Sequence, residues 1–129
     1  MTAPRQPSLA CVASLPALYE SDLRDLAAAV LWLGCTSRPP QPALVLSIDE
    51  VFRTIRQGVP ELQRASILQA SPHAQPVRNI LYEAVQVLEH NRLVLWRYRG
   101  SERVSEEISL TRRGQTAIMS GDIRAYLTQ

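Results

Sequence analysis

The chain contains 129 residues, of which 46% are hydrophobic and 20% are charged, and its formal net charge is +2. This composition is that of one globular domain, and it argues against a mainly disordered chain and against a membrane protein. All 14 basic residues are arginines, which we interpret first as a compositional bias and second as a phosphate-binding surface. The small net charge permits nucleic-acid binding without indicating it.

Neither the cysteines nor the histidines are spaced like metal ligands. Cys11 and Cys35 are far apart in the sequence, as are His73 and His90, whereas metal sites use closely spaced pairs. We therefore expect buried thiols and surface imidazoles, with no metal and no cofactor. The apolar run over residues 26–35 is shorter than the ~20 residues that span a bilayer, and no signal peptide is recognisable. These features predict a cytoplasmic protein with reduced thiols and no membrane partner.

The N-terminal part is predicted to consist of an arm followed by one helix. Three prolines among small residues in segment 1–19 predict a flexible arm that can dock through Leu15, Leu18 and Tyr19, so that residues 20–129 form the single domain. Ser21 can cap a helix over residues 22–33, and Gly34 would end it. We interpret the broad apolar face of this helix as a homodimer surface or, alternatively, as a face that packs only within its own domain. The candidate dimer residues are Leu26, Val30, Leu31, Trp32 and Leu33.

The next segment is predicted to form a connector and two helices. Several prolines exclude a helix over residues 36–43. Ser47 and Glu50 then form a capping box in front of apolar residues at helical spacing, and Gly58 ends this helix. A further helix with a thin apolar stripe is expected over about residues 60–70.

The strongest helical periodicity lies in residues 76–90, where apolar residues recur at intervals of three and four. The period then changes to that of two strands, which a turn at residues 100–103 joins into a β-hairpin over residues 93–110. Thr111 is predicted to cap a last helix, which Gly121 breaks.

Residues 79–114 carry an ordered set of motifs. A helix that ends in Leu-Glu leads through a short polar link into a basic hairpin, and a Leu-Thr-Arg-Arg-Gly sequence at residues 110–114 follows the second strand. This segment resembles the winged helix-turn-helix transcription regulators of the PadR and MarR families. The resemblance implies a mainly α fold with a β-hairpin wing, here a winged helix-turn-helix domain with an extra N-terminal helix. It also implies a dimeric transcription regulator that binds double-stranded DNA.

Polar side chains of the 76–90 helix occupy a face different from the apolar one. Arg78, Asn79, Tyr82 and Gln86 fall within about 100° of the helix circumference. The major groove admits a helix, and arginine, asparagine and glutamine are the side chains that read base edges. We therefore predict that these residues bind DNA. The alternative is that they form only the polar face of an amphipathic helix.

The hairpin is predicted to hold the DNA backbone. Arg97, Arg99 and Arg103 lie at or beside its tip, where their charges can contact phosphates. The alternative is a hairpin that its charges merely keep soluble. Three glutamates of the same hairpin would repel phosphates, and they favour a second function, a winged-helix module that binds protein and not DNA, such as a phage or plasmid regulator. These glutamates are Glu102, Glu106 and Glu107.

No catalytic motif is recognisable in the sequence. It contains neither a glycine-rich phosphate loop nor a Gly-x-Ser-x-Gly sequence. Glu106 and Glu107 are neighbours on a predicted strand and would point to opposite faces, so they cannot act as an acid and base pair. We therefore expect that the protein is not an enzyme.

Overall fold

The computed structural model describes residues 7–35, 45–63, 69, 71–98 and 106–127. Within these ranges the chain is mainly helical and has one small antiparallel sheet, as the predicted combination of helices and a hairpin requires. Short 3-10 helices cover Ala10–Val12, Pro60–Leu62 and Ile123–Tyr126. The longer elements are α1 (Leu15–Glu20), α2 (Leu23–Cys35), β1 (Val45–Leu46), α3 (Ile48–Gly58), α4 (Ala74–His90), β2 (Val94–Tyr98), β3 (Glu106–Leu110) and α5 (Arg112–Ser120).

Residues 10–20 form two short helices where a flexible arm was predicted over residues 1–19, and residues 1–6 of that prediction lie outside the described residues. Ser14 begins α1, since its side chain accepts the N–H of Ala17 at 3.3 Å. A proline in the first turn does not disturb this helix, because a first-turn N–H has no partner within the helix. The segment is packed through Cys11, Val12 and Leu18, which are buried in the core.

The helix predicted over residues 22–33 is present, with a different start and end. Asp22 and not Ser21 caps α2, because its carboxylate accepts a backbone N–H of the first turn at 2.8 Å. The helix runs through Gly34 and ends one residue later. This glycine lies against β1, where a Cβ atom would stand only 2.8 Å from Cγ of Leu46. Gly34 therefore allows α2 and β1 to approach closely and does not stop the helix.

The central position of α2 in the core contradicts its predicted use as a dimer surface. Leu26 is 1% exposed, and Val30 and Leu31 are 0% exposed, because α2 packs against α4, α3 and β1. Trp32 and Leu33 are half-buried and pack against the same core. The apolar face is thus used within the chain, which is the alternative that the sequence left open.

The cap predicted for α3 is confirmed. The hydroxyl of Ser47 accepts the N–H of Glu50 at 3.3 Å, and the helix ends at Gly58 as expected. Its buried side contributes four apolar residues to the core, namely Ile48, Val51, Phe52 and Ile55.

The continuous helix predicted over residues 60–70 does not form. Only Pro60–Leu62 make a 3-10 turn, and Gln63 has an extended backbone with a ψ of 153°. Residues 64–68 and residue 70 of that prediction lie outside the described residues. Leu62, the first residue of the predicted apolar stripe, is buried with 1% of its surface exposed.

The helix predicted from Pro76 begins two residues earlier, at Ala74, and ends at His90 as expected. Pro76 is the third residue of α4, where the helix still requires no N–H donor. The hairpin that follows joins β1 in a sheet of order β1-β3-β2. Its register places Val45 of β1 and Leu95 of β2 on either side of Ser109 in β3.

The start of α5 is fixed to the base of the hairpin. Thr111 caps the helix as predicted, since its hydroxyl accepts the N–H of Gly114 at 3.0 Å. Its own N–H donates to the carbonyl oxygen of Leu93 at 3.1 Å. The helix ends at Gly121, which has a φ of 78° and so adopts the left-handed conformation that glycine tolerates best.

Candidate nucleic-acid interface

One side of α4 is buried and the other is open to solvent. Its apolar residues pack on α2, α3 and β2, and they are Val77, Leu81, Ala84, Val85 and Leu88. The hairpin follows directly, after only three residues. The exposed side of α4 is therefore available beside the base of the hairpin.

Three amide side chains share the exposed side of α4. Gln75, Asn79 and Gln86 are all exposed, and they lie within about 40° of one another around the helix. The side-chain amide of Gln75 donates to Oδ1 of Asn79 at 3.0 Å. We call these three residues the amide stripe. The sequence located Asn79 and Gln86 but missed Gln75, because the helix was expected to begin at Pro76. The four-residue spacing between Gln75 and Asn79 was the available signal.

Arg78 lies apart from the amide stripe and contacts α3. Its Nη1 atom is 2.8 Å from Oδ1 of Asp49, and its guanidinium carbon lies 4.4 Å from the centre of the Phe52 ring. The side chain is 32% exposed and that of Asp49 is 78% exposed. Around the helix, Arg78 is about 80° from the middle of the stripe. In the structure Arg78 is therefore paired with α3, whereas Asn79 and Gln86, with which it was grouped on the sequence, are exposed.

Tyr82 contacts the hairpin and is not exposed as the amide stripe is. Its ring stacks on that of Trp96 in β2, with centroids 5.6 Å apart and an angle of 16° between the planes. Both side chains are half-buried. The pair joins α4 to the first strand of the hairpin, and this stacking contributes to the packing of the domain.

Glu89 makes a second connection between α4 and the hairpin, one that the sequence did not indicate. Its Oε2 atom accepts the backbone N–H of Trp96 at 3.1 Å. Because β2 is an edge strand, this hydrogen bond occupies a main-chain donor that would otherwise face solvent. Glu89 therefore has a structural partner, although its charge is unfavourable near phosphates.

The arginines predicted to bind phosphates fall mostly outside the described residues. Arg99 and Arg103 lie beyond them, and so does the side chain of Arg97. The backbone register pairs Arg97 with Glu107 across β2 and β3. The prediction that the hairpin binds phosphates stays a prediction.

Several other arginines hold the fold together. Arg113 donates from Nε to the carbonyl oxygen of Asn91 at 3.1 Å and lies over the Tyr126 ring. Arg124 forms an ion pair with Asp25. By contrast, three exposed arginines make no such side-chain contact within the described residues, namely Arg53 in α3, Arg92 between α4 and β2, and Arg112 at the start of α5.

The charge and burial of the remaining groups do not indicate catalysis. Burial raises the pKa of the Cys35 thiol to about 12, and burial with a smaller contribution from Asp25 raises that of Cys11. Both thiols are therefore protonated and weakly nucleophilic near neutral pH. Within the described residues, no three acidic, cysteine or histidine side chains cluster as metal ligands would. The helices described here are also too short or too polar to cross a membrane.

We compared the chain with known protein families, curated proteins and solved structures. No family model matches the chain, and no significant match is found among curated proteins or among solved structures.

Proposed function

We propose that the protein is a DNA-binding transcription regulator with winged-helix architecture. In this proposal α4 lies in the major groove of double-stranded DNA, and the hairpin over residues 93–110 contacts the flanking backbone. The order of elements supports it, because α2, α3 and α4 are followed by the hairpin, and β1 pairs with the second hairpin strand. The protein is further proposed to be cytoplasmic and to have no enzymatic activity.

The observation that carries this proposal is the amide stripe on α4. It is exposed, polar and straight, and it is held beside the hairpin by the Tyr82 and Glu89 contacts. Amide side chains both donate and accept hydrogen bonds, which is what a major-groove base edge requires. The buried side of α4 holds the helix on the core, so that binding needs no rearrangement of this face.

A homodimer belongs to the same proposal, because dimers of such modules bind half-sites about one helical turn apart. Its interface has to exclude Leu26, Val30 and Leu31, since these are buried within the chain. Sedimentation of the free protein and of the protein on DNA measures this oligomeric state.

The test of DNA binding is a titration of a random-sequence duplex at several salt concentrations. We expect dissociation constants of ~10⁻⁴–10⁻⁶ M near physiological salt, with tighter binding at lower salt as fewer counterions compete. The matched comparison is Arg99→Ala, which should reduce the salt slope by about one if this arginine contacts a phosphate. Absence of binding at low salt would contradict the proposal.

A second candidate function is a module that binds protein, and one observation favours it. Asp49 neutralises Arg78, the single arginine within α4, and the exposed Glu83 lies beside the amide stripe. The described face of α4 therefore carries little positive charge. A protein that fails to bind duplex at low salt, but stays folded and monodisperse, supports this second function.

A further inference from the structure

We propose that the amide stripe reads adenine, so that the preferred DNA has A·T base pairs opposite Asn79 and Gln86 and does not depend on a guanine contact by α4. This inference rests on the proposed DNA-binding function and specifies its substrate. It follows from which α4 side chains are exposed together and from the contacts that each of them already makes.

The first step concerns guanine. In the major groove guanine presents two acceptors, O6 and N7, which arginine or lysine typically contacts through two N–H groups. Arg78 is the single arginine of α4, and α4 contains no lysine. Its guanidinium group is bonded to Asp49 and lies on the Phe52 ring, turned about 80° from the middle of the amide stripe. This guanidinium is therefore held on α3 by two existing contacts, whereas the amides of the stripe are exposed.

The second step concerns adenine. Its major-groove edge offers the N6 amine as a donor beside N7 as an acceptor, and an amide side chain matches both at once. The hydrogen bond from Gln75 uses one of the two lone pairs of Asn79 Oδ1. The other lone pair can accept from N6, while the Asn79 amine donates to N7. Gln75 thus acts as a positioning residue, because it fixes which end of the Asn79 amide carries the oxygen.

The third step concerns spacing. Asn79 and Gln86 are seven residues apart and therefore about 10.5 Å apart along the helix axis. Neighbouring base pairs are about 3.4 Å apart along B-DNA. Where the helix follows the groove, the two amides lie opposite bases about three steps apart. The inference therefore predicts two preferred A·T pairs at this separation.

The experiment selects duplexes from a randomised pool with the full chain and then measures binding to the selected duplex. Each adenine of that duplex is replaced in turn by 7-deazaadenine, which lacks the N7 acceptor, and each guanine by 7-deazaguanine. We expect two adenine positions about three steps apart at which the replacement weakens binding about 2- to 12-fold, the range for the loss of one of the two hydrogen bonds. Guanine replacements should leave the affinity unchanged.

Variants assign these positions to residues. Asn79→Ala should remove the effect of 7-deazaadenine at one position, and Gln86→Ala should remove it at the other. Gln75→Ala should weaken the preference at the Asn79 position while leaving the preference at the Gln86 position in place. Gln115→Ala is the matched control, because it removes an exposed glutamine from α5 and should change neither.

Each outcome decides the inference. The adenine preference is overturned if the selected duplexes share no base, or if they lose affinity with 7-deazaguanine through Asn79 or Gln86. In that case salt-dependent binding to random duplex still supports the DNA-binding function. Absence of binding to every duplex overturns both. Adenine preferences that Asn79→Ala and Gln86→Ala leave intact also overturn the inference, because another surface then reads the base.

Discussion

Substitution of Gly114 by alanine tests the packing of α5 against the hairpin base. A Cβ atom at this position would lie 2.1 Å from the carbonyl oxygen of Leu93 and 2.7 Å from Cδ1 of Leu110. The first atom belongs to the backbone and cannot rotate away, so α5 or the backbone at Leu93 would have to move by about 1.3 Å to reach ordinary van der Waals contact, which begins near 3.4 Å. No other residue type is compatible with the observed approach.

The cost of this movement follows from the hydrogen bonds at the same place. The Leu93 carbonyl oxygen accepts the N–H of Thr111 at 3.1 Å, and the N–H of Gly114 donates to the Thr111 hydroxyl at 3.0 Å. Each such bond contributes about 1 kcal/mol, and alanine returns about 0.5–1 kcal/mol of helix propensity. With the lost packing of Leu93 and Leu110, we expect Gly114→Ala to reduce the free energy of unfolding by about 2–3 kcal/mol.

Two further glycines provide graded controls in the same denaturation assay. Gly58 has no atom within 4 Å of an added Cβ, so Gly58→Ala should leave stability unchanged or raise it by about 0.5 kcal/mol. Gly34 would meet only side-chain atoms, the nearest being Cγ of Leu46 at 2.8 Å, so Gly34→Ala should lie between the other two. Urea unfolding followed by circular dichroism gives the order. Equal stability of Gly114→Ala and Gly58→Ala would refute the packing described for α5.

Three other changes test different parts of the structure. Leu31→Asp should unfold the chain, because a charge would replace a side chain with 0% exposure and cost several kcal/mol. A variant that circular dichroism shows folded, and that sedimentation shows monomeric where the unsubstituted protein is dimeric, would contradict this and support a dimer surface on α2. Asp49→Asn should release Arg78 and tighten binding to random duplex at low salt. Asp122→Asn is the control, because it also removes one exposed carboxylate, and its effect should be smaller; equal effects would mean that Arg78 is not involved in DNA binding. Burial raises the pKa of the Cys35 thiol from 9.0 to about 12. The thiol therefore contributes fully to the free energy of unfolding below pH 9, and this contribution should decline as the pH rises toward 12, because the unfolded chain loses the thiol proton first. The comparison is Cys35→Ala, whose stability should fall less steeply over that pH range.

Local signals in the sequence predicted several helix boundaries. Ser47 and Thr111 were recognised as caps because a cap depends on the first three residues of its own helix. The end of α4 at His90 followed from a strong apolar period. The start of α4 was wrong by two residues because proline is tolerated at more than one position of the first turn.

Contacts between distant segments could not be predicted in this way. The pairing of Val45 with Ser109 joins residues that are 64 positions apart in the sequence (109 − 45), and no local pattern indicates it. Leu18 was among the residues through which the arm was expected to pack on the domain, and its burial confirms this, but the short helix that carries it has no strong apolar period and was not predicted. The burial of Leu31 likewise depended on how many neighbours cover α2, whereas periodicity reports only that one face is apolar.

The same distinction applies to the candidate interface. The sequence placed Asn79 and Gln86 on the polar side of α4, and the structure shows both exposed. The sequence could not show that Arg78 is paired with Asp49, which is 29 residues away. Nor could it show that Tyr82 stacks on Trp96, because that contact depends on the rotation of α4 against β2.

The contacts that occupy Arg78, Tyr82 and Glu89 lie on neighbouring sides of α4, two of them toward β2 and one toward α3. Together they fix the rotation of the helix, and with it the direction of the amide stripe. A stripe of neutral amides attracts phosphates weakly, so it can contribute base preference but little salt-dependent affinity. In the proposed complex that affinity has to come from arginines outside the stripe, including those of the hairpin. The salt slope should therefore respond to Arg99→Ala and not to Asn79→Ala, while the base preference should respond in the opposite way.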